Sequence, residues 1–159
     1  MEKGAIISDC GKYRFKLWRI WNNTKPLCLF IMHNPSKADA NIDDPTIRRC
    51  MSFAHSWGYG GIYVGNLYPF RATDPNELRL VSSADRKNNP ENYYHVKEMY
   101  DKCSIAILAY GNPTILDDPK PHPWLWNGDF YYLKLTNKGF PCHPLYLKKD
   151  LKPIKYEKP

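Results

Sequence analysis

The chain has 159 residues, 43% of them apolar and 14% aromatic, which suits one folded domain with a real core and excludes a disordered chain. No apolar run approaches the ~20 residues of a membrane-spanning helix, so no membrane partner is expected. The formal net charge of +7 favours a polyanion as partner, nucleic acid above all, bound in a salt-sensitive way.

The first residues, Met1-Glu2-Lys3-Gly4, are not followed by the apolar stretch of a signal peptide, so a cytoplasmic location is expected. Five cysteines (Cys10, Cys28, Cys50, Cys103, Cys142) form no C-x-x-C pair. Neither a zinc site nor an iron–sulfur cluster has its spacing here, no cofactor is expected, and the thiols should be reduced and mostly buried.

Residues 5–8 and 13–20 read as two strands around a turn at Asp9-Cys10-Gly11-Lys12. In Tyr13-Arg14-Phe15-Lys16-Leu17 apolar and basic residues alternate, as on a half-solvated edge strand or hairpin. Leu27 to Met32 is an apolar run that fits a strand buried on both faces inside a parallel sheet. His33-Asn34-Pro35-Ser36 follows at its C-terminal end, where open α/β sheets bind ligands.

Asp44-Pro45-Thr46 is a helix start, with Asp as N-cap and Pro in the first position. Ile47, Cys50, Met51, Ala54 and Trp57 follow at helical spacing, and Gly58 supplies the stop. Gly60-Gly61 leads into a second buried strand, Ile62 to Leu67, completing a right-handed βαβ unit. Asn66 and Arg71 then emerge at the same edge as Asn34.

A short helix is expected over 75–80 and a longer one from Asn89-Pro90, with Tyr93, Val96, Met99, Tyr100 and Cys103 inward. Ser104 to Tyr110 is a third buried strand, and Gly111-Asn112-Pro113 turns off it at the ligand edge. The stretch 113–129 is rich in Pro and Trp and shows no period. Phe130 to Leu135 reads as a fourth strand, and the basic residues 148–155 as a solvated tail. No internal repeat or domain boundary is visible, so residues 1–159 are expected to form a single domain.

Three separated pieces carry a resemblance: Asn34-Pro35-Ser36 with Asp44-Pro45-Thr46-Ile47-Arg48-Arg49; Trp57 to Gly61 through Asn66-Leu67 to Arg71-Ala72-Thr73-Asp74-Pro75; and His143-Pro144-Leu145-Tyr146. Together they resemble an uncharacterised bacterial and phage family of single-domain proteins with the signature N-P-S-x-A-D, D-P-T-x-R-R, G-Y-G-G, N-L-x-x-x-R-A-T-D-P and H-P-L-Y. The match departs at 113–129 and at His33, where an apolar residue is expected.

More distantly, the pieces resemble the uracil-DNA glycosylase superfamily, in its mismatch-specific thymine and uracil branch. That resemblance implies a three-layer α/β/α sandwich with a mostly parallel four-stranded central sheet, here with an added N-terminal β-hairpin. It also implies a DNA N-glycosylase, with Asn34 and His143 catalytic and Asn66 reading the base.

Cleaving a nucleotide's glycosidic bond needs an extruded base, a positioned water, a stabilised leaving base and a sugar cation near negative charge. In this reading Asn34 holds the water, although an amide is a poor general base. His143 donates to the leaving base. His33, Ser36, Asn66 and Tyr68 form the base-binding set.

A serine at position 36, where the resembled family has a bulky tyrosine in one version of the motif, leaves room for a 5-modified pyrimidine. The expected substrate is therefore a modified base in DNA, such as phage DNA. Arg48, Arg49, Arg71, Lys148 and Lys149 are phosphate candidates, and Leu145, Tyr146 and Leu147 a wedge for the duplex.

No histidine among His33, His55, His95 and His122 has a partner at metal-ligand spacing, and Asp44 reads as a helix cap rather than a cation ligand. A monomer is expected. Two other functions stay open: a nucleic-acid-binding module without catalysis, and a hydrolase of free nucleosides or nucleotides.

Overall fold

The computed structural model describes residues 1–74, 77–78, 90–112 and 128–157. Its elements are β1 (Glu2–Ile7), β2 (Arg14–Ile20), β3 (Leu27–Met32), α1 (Pro45–Ser56), β4 (Gly61–Asn66), α2 (Pro90–Lys102), β5 (Ile105–Leu108), β6 (Tyr131–Tyr132) and β7 (Ile154–Lys155). The strands form one seven-stranded sheet in the order β1-β2-β4-β3-β5-β6-β7. The inner pairs β4–β3, β3–β5 and β5–β6 are parallel, and the flanking pairs are antiparallel.

This architecture corrects the expected one. The sheet is seven-stranded and mixed rather than four-stranded and mostly parallel, and the described residues hold only two helices rather than the layers of an α/β/α sandwich. Two pairings account for the difference. The N-terminal hairpin is no appendage, because β2 pairs along β4 from Leu17↔Val64 to Ile20↔Gly61. The basic tail is not free either: β7 pairs with β6 through Tyr131↔Lys155 and Tyr132↔Ile154.

The core lies on both faces of β3. Cys28, Phe30 and Met32 point to the α1 side with Ile47, Cys50, Phe53 and Ala54. Leu29 and Ile31 point to the α2 side with Val96 and Met99. Successive strand residues alternate between faces, so a continuous apolar run supplies both cores at once.

Helix α1 begins as its sequence dictates: Asp44 Oδ1 accepts from the Ile47 N–H at 2.9 Å and Pro45 opens the first turn. It ends at Trp57, followed by Gly58 at φ +85°. Met51 and Trp57 prove only partly buried, whereas Phe53 belongs to the core. On α2, Val96 and Met99 are buried as expected, but Tyr93 is 44% exposed and Asn92 takes an inward place. Glycine at position 65 lets α2 close on β4, since a Cβ there would stand 2.8 Å from the Met99 Cε.

The short helix expected over 75–80 and the segment 113–129 lie largely outside the described residues. Cys28 and Cys50 are buried, Cys103 and Cys142 partly so, and Cys10 is exposed, so burial holds for fewer thiols than expected. No helix among the described residues is long and apolar enough to cross a membrane.

Candidate functional site

Because β3, β4 and β5 run parallel, their C-terminal ends reach one rim. The turns leaving it are joined by backbone hydrogen bonds. The Leu67 N–H donates to Met32 O (2.8 Å), the Tyr68 N–H to His33 O (3.0 Å) and the Ala72 N–H to Pro35 O (2.9 Å). The late segment joins the rim through the Gly111 N–H and Pro141 O at 2.8 Å, with Gly111 at φ +73°. Between this rim and the N-terminus of α1 lies a cavity of about 540 Å³.

Five of the expected site residues line that cavity: His33, Asn34, Ser36, His143 and Leu145. Asp44, read as a cap alone, lines it too, as do Arg14 and the Gly111-Asn112 turn. The remaining expected residues lie elsewhere.

Asn34 is bonded to its own surroundings. Its Nδ2 donates to Ala72 O at 2.8 Å and to Pro35 O at 3.1 Å, and its Oδ1 sits 2.9 Å from His33 Nδ1. An amide oxygen only accepts, so this pairing places a proton on His33 Nδ1. The side chain therefore ties the end of β3 to the turn at Ala72, and both amide hydrogens are used inside the protein.

His143 is arranged differently. It is exposed at the mouth, and its Nδ1 accepts from the Leu145 N–H at 3.2 Å, which leaves the ring proton on Nε2 in the neutral form. Loss of hydration against the protein lowers its pKa below the ordinary imidazole value; the Asp44 carboxylate opposes this and His33 adds to it. His143 is thus a neutral donor at neutral pH.

The loop from Ser36 to Asp43, whose first two residues line the cavity, is held through its carbonyls by arginines. Arg71 Nε donates to Ser36 O (3.2 Å), Arg14 Nη1 to Ala38 O (3.0 Å) and Arg48 Nη1 to Asp43 O (2.9 Å). Arg19 donates to Asp39 O and Ile42 O and pairs with the Asp43 carboxylate at 2.7 Å. Arg48 and Arg71, expected to grip phosphates, thus spend donors on this loop.

Arg14 and Arg19, expected on a half-solvated strand, are 2% and 0% exposed. Their placement follows from the register. Ile6 pairs with Lys16 but Ile7 pairs with Arg14, so Phe15 is the extra residue of a β-bulge. Phe15 and Lys16 both turn toward α2, against His95 and Glu98, and Arg14 is re-aimed to the α1 face and the cavity.

Asn66 reaches the expected edge but is 1% exposed, and neither amide atom of its side chain has a hydrogen-bond partner among the described residues. Tyr68 is packed in the α2-side core, its ring 5.0 Å from that of His33. Arg49 lies over the Phe53 ring at 4.9 Å. Of the expected wedge, Leu145 lines the cavity and Leu147 packs on the α1-side core, while Tyr146 is 93% exposed with φ +70°. Lys148 and Lys149 are exposed.

Sequence reasoning missed Arg14 and the cavity role of Asp44. Nothing local marks a bulge, and a cap and a cavity wall call for the same aspartate. Neither a curated protein nor a solved structure matches the chain. No comparison links it to the uracil-DNA glycosylases. Residues 14–145 match the family model described as protein of unknown function (DUF1643), and with most of its length inside that match the chain belongs to this family.

Proposed function

We propose that the protein is a DNA glycosylase-like hydrolase that cleaves the N-glycosidic bond of an extruded, 5-modified pyrimidine, with phage DNA as the natural target. The observation that carries this reading is the shared cavity: His143, Asp44 and Ser36 face about 540 Å³, within the range of small-molecule sites. Asn34 holds the wall rather than the water. Asp44 supplies the carboxylate that an amide cannot replace, accepting a proton as water attacks the sugar carbon. The bond pair leaves with the base, toward which the Nε2–H of neutral His143 donates. Ser36 leaves space beside the base.

The test is mass spectrometry of bases released from 5-modified and plain uracil DNA. Release from the modified substrate is expected, falling roughly 100-fold or more in His143→Ala and Asp44→Asn. Asn caps a helix as well as Asp does, so the second variant removes the carboxylate and keeps α1. Equal inertness on both substrates overturns the reading.

The donors that Arg71 spends on the carbonyls of Ser36, Gly11 and Lys37 favour one alternative, a hydrolase of free nucleosides, which needs little basic surface. Release from nucleosides but not from DNA would select it.

A further inference from the structure

The cavity floor holds a charge the protein leaves largely unanswered. Arg14 is 2% exposed, yet among the described residues its guanidinium makes a single hydrogen bond, Nη1 to Ala38 O at 3.0 Å, and no ion pair, the Asp44 carboxylate acting on it through charge alone. Its Nε is buried without a partner. Burial lowers its pKa to about 10, so it stays protonated at neutral pH. A buried guanidinium carries five N–H donors, and leaving them unanswered is costly.

A second orphan lies on the same face. Asn66 stands in register with Met32, which lines the cavity, and both its amide atoms are buried and unpaired. Asn66 is not itself among the described lining residues, but the unanswered donors of Arg14, which lines the cavity, point to a missing acceptor there. The other charges fit a negative one. Pro45, Thr46 and Ile47 bring the positive end of α1 to the cavity and Lys37 lines it, against Asp44 as the one carboxylate among its described lining residues.

We infer that the cavity floor is a receptor for an anionic oxygen group, a phosphate or carboxylate carried by the ligand, gripped by the guanidinium of Arg14. The bulge at Phe15 is the device that builds it, since regular pairing would turn Arg14 to the other face. The assignment does not rest on base excision and is tested without nucleic acid.

Inorganic phosphate is titrated calorimetrically into the full chain, at constant ionic strength set with chloride, with acetate as a second arm. Saturable binding of phosphate or acetate is expected, and the stronger of the two tells a tetrahedral from a planar group. Arg14→Met should weaken it roughly tenfold or more, with Arg14→Lys between the two. On the unaltered chain, the Arg14 Nε–H resonance should move during the titration, a readout that holds even if the variants do not fold. Absence of saturable binding, equal binding by Arg14→Met, or an unmoved Arg14 resonance overturns the assignment.

Discussion

Asp44 joins helix geometry to cavity chemistry within one carboxylate. Its Oδ1 caps α1, while its charge opposes the loss of hydration that lowers the His143 pKa. Asp44→Asn keeps the cap and removes the charge, so the downward influences on His143 act unopposed. The His143 titration midpoint, followed by NMR, should fall further in this variant; an unchanged or higher midpoint counts against the coupling. The stability sign follows from the same direction. Because folding lowers this pKa, the unfolded chain takes the proton first, and stability declines as pH falls through ~6.5. The cap was legible because it is local. The partners of Asn34 were not: Ala72 O lies 38 residues away, and nothing near Asn34 announces it.

β2 carries the corresponding lesson for elements. Its hairpin with β1 was legible from the turn at Asp9–Lys12, as were the central strand and both long helices from their periods and caps. Its second partner was not, because alternation of basic and apolar residues describes a strand with one wet face. Here β2 is an inner strand, and its basic residues Arg19 and Lys16 are satisfied by a distant loop and by α2. Gly61 marks how closely β2 and β4 approach: a Cβ there would stand 2.7 Å from Arg19 O and 2.8 Å from the Ile20 Cα. Backbone cannot yield as a side-chain tip does. Gly61→Ala should therefore cost about 1–3 kcal/mol in urea unfolding, with no loss expected if that approach were loose.

Across the whole molecule, the net charge of +7 overstates what is offered to a polyanion, because Arg19 is buried against the Asp43 carboxylate and Arg71 is turned to carbonyls of the loop 36–43. The family match also divides the sheet in an informative way. Residues 14–145 contain β2 to β6, while β1 and β7, the two outermost strands, lie outside it. Cutting the chain to the matched span would remove the Gly4 carbonyl that Arg19 uses and the Leu151 carbonyl that Trp57 uses. It would also uncover the ladders of β2 and β6 together, and bare ladders template pairing with other chains. Light scattering should find the trimmed chain in oligomers at concentrations where the intact one stays monodisperse. The terminal segments would then be the sheet's selvedge, keeping each molecule from being woven into the next.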